Sequence, residues 1–540
     1  MTEPNSRRDP TLMDRRAFMA TTALTAVAVG SSRQNGAAWP GHLSTTARQV
    51  PEPFELEDLD ISALQSGMSD GRWTAARLTE LYSDRIRQLD RAGPMLRAIL
   101  ELNPDAAAVA ADLDRERAAG RVRGPLHGIP VLVKDNVETR EWPTTAGSLA
   151  LKENRTGRDA PLVARIRAEG GVVLGKTNLS EWANIRSSAS SSGWSGTGGQ
   201  TRNPHAIDRN PCGSSSGSGA AVAAGMAWAA VGTETDGSIT CPASANGIVG
   251  FKPTVGLVSR TWIVPISHSQ DTAGPMARTV RDAAIVLTAI AGSDPEDAAT
   301  READAHKTDY AAALDGQSLK GARIGVLRFA ARFHGPTEKV FDAALARMKA
   351  AGAILVEIDA APDRQAIGAA ELTVLQTEFK ADLNAYLAST DPAKVKTRTL
   401  ADLIAFNAAH ADVEMPLFGQ ETFEASQATK GLDDPDYLKA RETARRLTGP
   451  EGIDKLLKDN NVVALVAPTL APAWLIDDVL GDRYLGGGAG SVAAIAGYPH
   501  LTVPMGDVKG LPVGLSIIGP AWSDARILSL GYAFEQAKAP

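Results

Sequence analysis

The sequence contains little cysteine, with only Cys212 and Cys241 in 540 residues. Two cysteines in a chain of this length exclude a small scaffold stapled by several disulfides. Cys212 stands two positions before Ser214, and Cys241 stands three positions after Ser238. We expect both cysteines to be buried, reduced side chains, and a bridge between them is the alternative.

Histidine is also scarce, and the chain has no excess of positive charge. The chain has eight histidines and 56 basic against 63 acidic residues, which gives a net charge of -7. A negative surface repels phosphate backbones, so we do not expect nucleic acid as a partner. The histidines are scattered and form no ligand cluster, and we expect neither a metal nor an organic cofactor. His127 is predicted to be a packed loop residue, with a catalytic role as the alternative.

The apolar run near the N-terminus, Ala20 to Gly30, is shorter than the roughly 20 residues that a spanning helix needs. It follows the pair Arg15 and Arg16, an order typical of the bacterial twin-arginine export signal. We predict an export signal over residues 1–38 and a periplasmic or secreted mature protein with no stable membrane span. A disordered tail with a chance arginine pair is the alternative.

Helical and strand-like apolar stretches alternate along the rest of the chain. After Thr74, a candidate helix cap, apolar residues recur at three-to-four spacing, which predicts a helix with one core face. Further helices are predicted around 104–119, 161–169 and 340–351 and from 219 onward, and strands at 129–133, 172–174, 229–231, 324–327, 354–358 and 462–467. This alternation predicts an α/β fold. We expect one domain over residues 39–540, with a helical, cap-like region around 372–447.

One stretch, Gly170 to Thr177, fits the spacing of a phosphate-binding P-loop. A working P-loop has its strand before the first glycine and a flexible loop between the glycines. Here the strand is predicted between Gly170 and Gly175, and a helix precedes them. The order is therefore wrong for nucleotide binding.

Two serines in Gly/Ser-rich surroundings and one lysine carry the chemistry that the sequence suggests. Lys134 ends an apolar strand, and Ser214 and Ser238 lie 24 positions apart. A serine nucleophile needs a group that accepts its proton, and the candidate base here is an amine. The residues from 187 to 219 could form a flexible linker, but Trp194 interrupts them and a helix follows, which favours an active-site loop.

The turn that contains Ser238 follows the predicted strand 229–231. Successive backbone N–H groups of Thr235, Asp236, Gly237 and Ser238 would form a nest for an oxyanion, and each such donor is commonly worth about 3 kcal/mol. Gly237 makes the turn sterically cheap. Asp-Gly-Ser is also an ordinary turn sequence, so this signal is weak by itself.

Taken together, these segments resemble the amidase signature family over nearly the whole mature chain. The matching motifs are Gly128-Ile-Pro-Val-Leu-Val-Lys134-Asp135-Asn136, Leu174-Gly-Lys-Thr-Asn178, Cys212-Gly-Ser-Ser-Ser-Gly-Ser-Gly219, the segments 232–242 and 250–258, Asp271-Thr-Ala-Gly-Pro275-Met-Ala-Arg, and Ala496-Gly-Tyr-Pro-His500-Leu-Thr-Val-Pro504. The resemblance implies a central mixed, twisted sheet with helices on both faces. It also implies a Ser-Ser-Lys triad with Ser238 as nucleophile, Ser214 as middle serine after a cis peptide bond, and Lys134 as base.

The chain departs from the broad family pattern around the nucleophile. Thr240 stands where most members carry arginine, and Cys212 and Ser216 stand where glycine is usual. These departures resemble the bacterial peptide amidase branch, which implies hydrolysis of C-terminal peptide amides to acid and ammonia. Small aliphatic or aryl amides are the alternative substrates. Less favoured are an idle amide-binding relative and a transamidase-type, ammonia-handling subunit. The oligomeric state is left open.

Overall fold

The computed structural model describes residues 54–57 and 59–538. The strands are β1 Ile99–Leu102, β2 Pro130–Lys134, β3 Val172–Thr177, β4 Trp194–Ser195, β5 Gly199–Gln200, β6 Ala229–Glu234, β7 Val249–Lys252, β8 Thr272–Ala277, β9 Arg323–Leu327, β10 Ile354–Ile358, β11 Ala464–Pro468, β12 His500–Val508 and β13 Leu511–Ile518. The helices are α1 Ile61–Ser69, α2 Ala75–Ile86, α3 Ala106–Ala118, α4 Pro161–Ala168, α5 Ser216–Ala223, α6 Thr240–Ala245, α7 Val280–Ile290, α8 Ala303–His306, α9 Gly335–Ala350, α10 Arg364–Ala388, α11 Leu400–Ala409, α12 Ala411–Glu414, α13 Glu421–Gln427, α14 Pro435–Thr448, α15 Asp454–Asp459, α16 Gly490–Ala496 and α17 Asp524–Gln536.

Eleven of these strands form one mixed sheet in the order β1-β3-β2-β6-β8-β7-β12-β13-β11-β9-β10. β2 runs parallel to both β3 and β6, while β6 pairs antiparallel with β8. Every residue of β2, β3 and β6 is buried, as expected for strands that helices cover. The carboxyl ends of these three parallel strands therefore meet at one edge, the usual position of a site in an α/β sheet.

The sequence predictions of secondary structure are confirmed for the elements around this edge. β2 includes Lys134 as its last residue, and β6 continues three residues beyond the predicted end, to Glu234. Thr74 caps α2 by accepting a hydrogen bond from the amide of Arg77 at 3.1 Å. The large mixed sheet flanked by helices confirms the predicted α/β fold class.

The predicted helical region around residues 372–447 contains most of α10 and all of α11 to α14. Its side chains Phe379, Leu383 and Phe423 belong to a hydrophobic cluster that also includes residues from other parts of the chain, such as Trp182 and Val264. The rings of Phe379 and Phe423 stack with their centroids 5.0 Å apart. The region thus packs through this cluster onto other segments of the chain, and its role in shaping a substrate site stays a prediction.

Three side predictions meet the structure in different ways. β3 occupies the space between Gly170 and Gly175, which confirms that this segment is a strand and not a phosphate loop. His127 is fully buried, with Nε2 3.0 Å from the carbonyl oxygen of Leu113, as predicted for a packed histidine. The predicted export signal at residues 1–38 lies outside the described residues. None of the helices in the described part is both long and apolar enough to cross a bilayer.

Candidate active site

Lys134 is a buried amine surrounded by hydroxyl groups. Its Nζ lies 2.8 Å from Ser214 Oγ and 2.8 Å from Thr233 Oγ1, and 3.4 Å from the Thr233 carbonyl oxygen. Within residues 54–57 and 59–538, Lys134 forms no ion pair. Burial lowers the pKa of Lys134 to about 7, against the opposing charges of Asp271 and Glu234. Such an amine loses its proton far more readily than a solvated lysine.

Ser214 stands just before the first turn of α5, after a cis peptide bond to Gly213. The small residues of this loop let it pack closely on its neighbours. A Cβ on Gly217 would lie 2.5 Å from the carbonyl oxygen of Asn178, a distance that excludes any side chain. The Ser214 carbonyl accepts a hydrogen bond from the amide of Ser180 at 3.0 Å. Dense backbone contacts therefore fix the loop that holds Ser214 against Lys134.

Ser238 lies in the turn between β6 and α6 and is 8% exposed. Its carbonyl oxygen accepts a hydrogen bond from the amide of Ser215 at 3.1 Å. The Ser215 hydroxyl also joins the two segments, because it donates to the Thr233 carbonyl at 3.1 Å. The structure thus brings the two serine segments and the lysine strand together, as the sequence predicted.

The backbone amides of Thr235, Asp236, Gly237 and Ser238 form a group of potential donors beside Ser238. No described residue accepts a hydrogen bond from any of the four, whereas the next amide, of Ile239, donates to Glu234 at 2.7 Å. Gly237 has φ +77°, the left-handed conformation that glycine adopts at little cost. Unpaired amides at a tight turn are suited to bind developing negative charge.

Glu234 is a residue whose role the sequence analysis missed. Its Oε2 accepts hydrogen bonds from the amide of Ile239 at 2.7 Å and from the amide and hydroxyl of Thr240 at 2.9 Å and 3.2 Å. Glu234 therefore closes the turn that carries Ser238 and fixes the start of α6. The departure at Thr240 was visible in the sequence, but its contact with the acid at the end of β6 was not.

Cys212 and Cys241 form a disulfide in the structure, with their Cα atoms 5.9 Å apart. The expectation of two reduced cysteines is therefore wrong. The two cysteines are 29 positions apart in the chain, with α5 and β6 between them, and only the fold brings the two segments together. The bridge packs with Leu470, Ala473 and Trp474. It links the loop before Ser214 to the helix after Ser238.

A cavity of about 290 Å³ lies beside the two serines. Its wall includes Gly213 and Gly237, the chain neighbours of Ser214 and Ser238, together with the disulfide. None of the described residues that line it is a lysine or arginine. Two lining carboxyl groups, of Asp236 and Asp482, have pKa values raised by burial, and burial lowers the pKa of a lining histidine, His500, to about 3. The cavity therefore offers no cation to a ligand.

The described residues contain one cluster with the composition of a metal site, formed by His268, Glu378 and Asp382, whose ligand atoms lie within 4.8 Å of one another. The Glu378 carboxylate already accepts hydrogen bonds from the hydroxyls of Tyr437 at 2.7 Å and Ser269 at 2.5 Å. His268 Nδ1 lies 2.9 Å from Asp382 Oδ2. Internal partners occupy these atoms, and we assign the cluster a structural role in joining α10 to the loop before β8.

Comparison with known proteins places this geometry in a family. The family model described as Amidase matches residues 77–528. A probable amidase from Arabidopsis thaliana is 38% identical over 508 residues, which cover 92% of this chain and 93% of that protein. A glutamyl-tRNA(Gln) amidotransferase subunit from Chloroflexus aurantiacus is 35% identical over 492 residues, which cover 89% of this chain and 97% of that protein.

Solved structures agree with the family match. The X-ray structure of native peptide amidase from Stenotrophomonas maltophilia superimposes with a TM-score of 0.85 at 52% identity and covers 90% of this chain and 99% of that chain. The peptide amidase PAM in complex with the competitive inhibitor chymostatin gives a TM-score of 0.86 at 53% identity, with 90% and 100% covered. This chain belongs to the amidase signature family and is an amide-hydrolysing enzyme.

Proposed function

We propose that Ser238 is the nucleophile of a Ser-Ser-Lys triad that hydrolyses C-terminal peptide amides. The observation that carries this proposal is the 2.8 Å contact between Lys134 Nζ and Ser214 Oγ at a buried site without a carboxylate partner. A neutral amine there accepts the proton of Ser214 while Ser214 Oγ accepts the proton of Ser238. Ser238 Oγ then attacks the amide carbonyl, and the oxyanion is stabilised by the amides of residues 235–238.

The remaining steps balance without a cofactor. Ser214 returns the proton to the leaving nitrogen, the C–N bond breaks, and ammonia departs from an acyl-Ser238 ester. Water then attacks the ester, its proton passes along the same two groups, and the carboxylic acid leaves as Ser238 regains its hydrogen. One amide and one water give one acid and one ammonia.

Two features support a peptide amide as the substrate. The chain is 52% identical to a peptide amidase over 90% of its length. The cavity beside the serines has no lining lysine or arginine among the described residues, and a carboxylate buried without a cation is strongly disfavoured. A terminal carboxamide carries no charge and fits this environment, whereas the acid that is formed does not, which promotes its release.

The test is an ammonia-release assay with amidated peptides, small aliphatic amides and anilides, without ATP or other protein chains. We expect peptide amides to give the highest kcat/KM. Ser238→Ala should lower turnover at least about 10³-fold. Ser218→Ala is the matched control, because Ser218 is a buried serine of the same region whose hydroxyl contacts Thr177 Oγ1 at 2.8 Å, and its turnover should stay within a few-fold of the parent.

Two results contradict the proposal. Equal turnover by the parent and Ser238→Ala would remove Ser238 as nucleophile. Ammonia release that requires ATP and a second protein chain would instead indicate an amidotransferase. A relative that is 35% identical carries that name.

We also propose export through the twin-arginine route to the periplasm or beyond. The disulfide between Cys212 and Cys241 supports this location, since such bonds persist mainly in oxidising compartments. Replacing Arg15 and Arg16 by lysine should retain the protein in the cytoplasm, as measured by cell fractionation. Unchanged fractionation would contradict the proposal.

A further inference from the structure

The segment between β11 and α16, residues 469–489, exposes an unusual number of large apolar side chains. Five of the thirteen such exposed residues in the described part of the chain lie within it: Leu475, Val479, Leu480, Tyr484 and Leu485. Single exposed apolar residues are ordinary, but a concentrated group marks a binding surface. This segment also forms part of the wall of the cavity beside the serines.

One partly buried acid, Asp482, holds the segment in place. Asp482 accepts hydrogen bonds from the amide of Ser192 at 2.9 Å, from Asn210 Nδ2 at 3.1 Å and from Trp474 Nε1 at 3.0 Å. Asn210 in turn accepts a hydrogen bond from the amide of Cys212 at 2.8 Å. The segment is therefore tied through Asp482 to the loop that leads to Ser214.

Two aromatic side chains of this segment face the cavity. The rings of Trp474 and Tyr484 lie 5.5 Å apart at 45°, and both residues line the cavity that includes Gly213 and Gly237. Trp474 rests on the disulfide and is 7% exposed, whereas Tyr484 is 63% exposed. The Tyr484 ring therefore offers an aromatic face that the described residues leave largely uncovered beside the reacting serine.

We propose that Trp474 and Tyr484 form the subsite for the side chain of the substrate residue that carries the amide, and that this subsite prefers apolar and aromatic side chains. The inference rests on the proposed function. A substrate whose carbonyl reaches Ser238 and the amides of residues 235–238 is able to place its neighbouring groups in the cavity of about 290 Å³ whose wall includes Gly213 and Gly237. An aromatic wall gains free energy from apolar and ring contacts. An acidic side chain would meet Asp236 and Asp482 instead.

Leu485, the chain neighbour of Tyr484, provides a matched control. The two residues are exposed to the same degree, 61% and 63%. Leu485 lines a different cavity, of about 620 Å³, together with Arg209 and Lys509. Changing Leu485 therefore perturbs the same segment without touching the cavity beside the serines.

The test compares kcat/KM for amidated dipeptides that end in Phe, Leu, Gly or Glu. We expect the Phe and Leu amides to exceed the Gly amide by about tenfold or more, as expected for apolar pocket contacts, and the Glu amide to be the poorest. Tyr484→Ala should lower the Phe-to-Gly ratio about tenfold, mainly through KM. Tyr484→Phe should retain the ratio, and Leu485→Ala should leave it at the parent value.

The other outcomes contradict either the subsite alone or the proposed function as well. An unchanged Phe-to-Gly ratio in folded Tyr484→Ala, or an equal fall in Leu485→Ala, overturns the subsite while the hydrolase proposal stands. A parent enzyme that turns over all four amides equally does the same. A parent that releases ammonia from none of the four overturns the proposed function and, with it, the subsite.

Discussion

Lys134 and Lys176 lie on the neighbouring strands β2 and β3, and both are fully buried. Lys176 Nζ contacts Asp135 Oδ1 at 3.0 Å, while Lys134 Nζ contacts the hydroxyls of Ser214 and Thr233 at 2.8 Å. Burial lowers the pKa of both amines, but for Lys176 the carboxylate of Asp135 opposes this effect at contact distance. The partner, and not the burial, separates a structural cation from an amine that is able to act as a base.

The largest expected effects come from removing each amine in turn. Lys134→Met removes the proposed base and should lower kcat/KM at least about 10³-fold, with a smaller loss of stability than Lys176→Met, because no buried carboxylate loses a contact partner. Lys176→Met leaves the Asp135 charge buried and unpaired and should lower the free energy of unfolding by about 3–5 kcal/mol. Ammonia release and urea unfolding measure the two effects. If both variants lost activity and stability alike, the distinction between the lysines would be wrong.

A second variant gives Lys134 a carboxylate neighbour of the kind that Lys176 has. Thr233→Asp places a carboxylate where a hydroxyl contacts Lys134 at 2.8 Å, so the pKa of Lys134 should rise by about 1–3 units. Activity at pH 7 should then fall and return at higher pH. Thr233→Ser keeps the hydroxyl and should keep the parent pH profile. A folded Thr233→Asp enzyme with the parent profile would contradict the assignment of Lys134 as base.

The pKa of Lys134 should be visible in the pH dependence of the parent enzyme. Because burial lowers this pKa to about 7, kcat/KM should fall about tenfold per pH unit below that value and level off above it. The unfolded chain binds the proton up to the ordinary value of 10.5. The contribution of the Lys134 amine to the free energy of unfolding should therefore rise with pH between about 7 and 10.5.

Lys134→Met is the control for the effect of pH on stability. The difference in unfolding free energy between the parent and this variant, measured in urea across pH 7 to 10.5, isolates the contribution of one amine. A difference that does not vary with pH would contradict a lowered pKa for Lys134.

The smallest effect is expected from Thr144→Val. Thr144 Oγ1 accepts a hydrogen bond from Lys176 at 3.1 Å, and its loss should lower the free energy of unfolding by about 1 kcal/mol with kcat/KM within twofold of the parent. Thr233→Val removes the equivalent hydroxyl from Lys134 and should lower kcat/KM clearly. Equal activity losses in the two valine variants would show that the hydroxyl at Lys134 has no special role.

Most of the sheet and the contact between Lys134 and Ser214 could be predicted from the sequence. Apolar runs such as 129–133 and 172–174 indicate strand positions directly, because each follows a glycine and is buried along its length. The family motifs predict that Lys134, Ser214 and Ser238 share one site, although they are far apart in the chain. The apolar runs are local sequence patterns, and the family motifs occur in a fixed order along the chain.

The features that were missed depend on long-range packing. The bridge between Cys212 and Cys241 requires that a loop and a helix start meet across α5 and β6. The hydrogen bond from Asn210 in the Gly/Ser-rich loop to Asp482, which also accepts one from Trp474, joins residues 272 positions apart. No local pattern in composition or periodicity encodes such pairs.

The disulfide has a consequence for how preparations of the enzyme are judged. Its sulfurs belong to Cys212 and Cys241, within three positions of Ser214 and Ser238. The chain contains no other cysteine, so every free thiol in a preparation belongs to a molecule that lacks this bond. Counting free thiols in a purified sample then reports the molecules in which the two serine segments are not joined covalently, before any substrate is added.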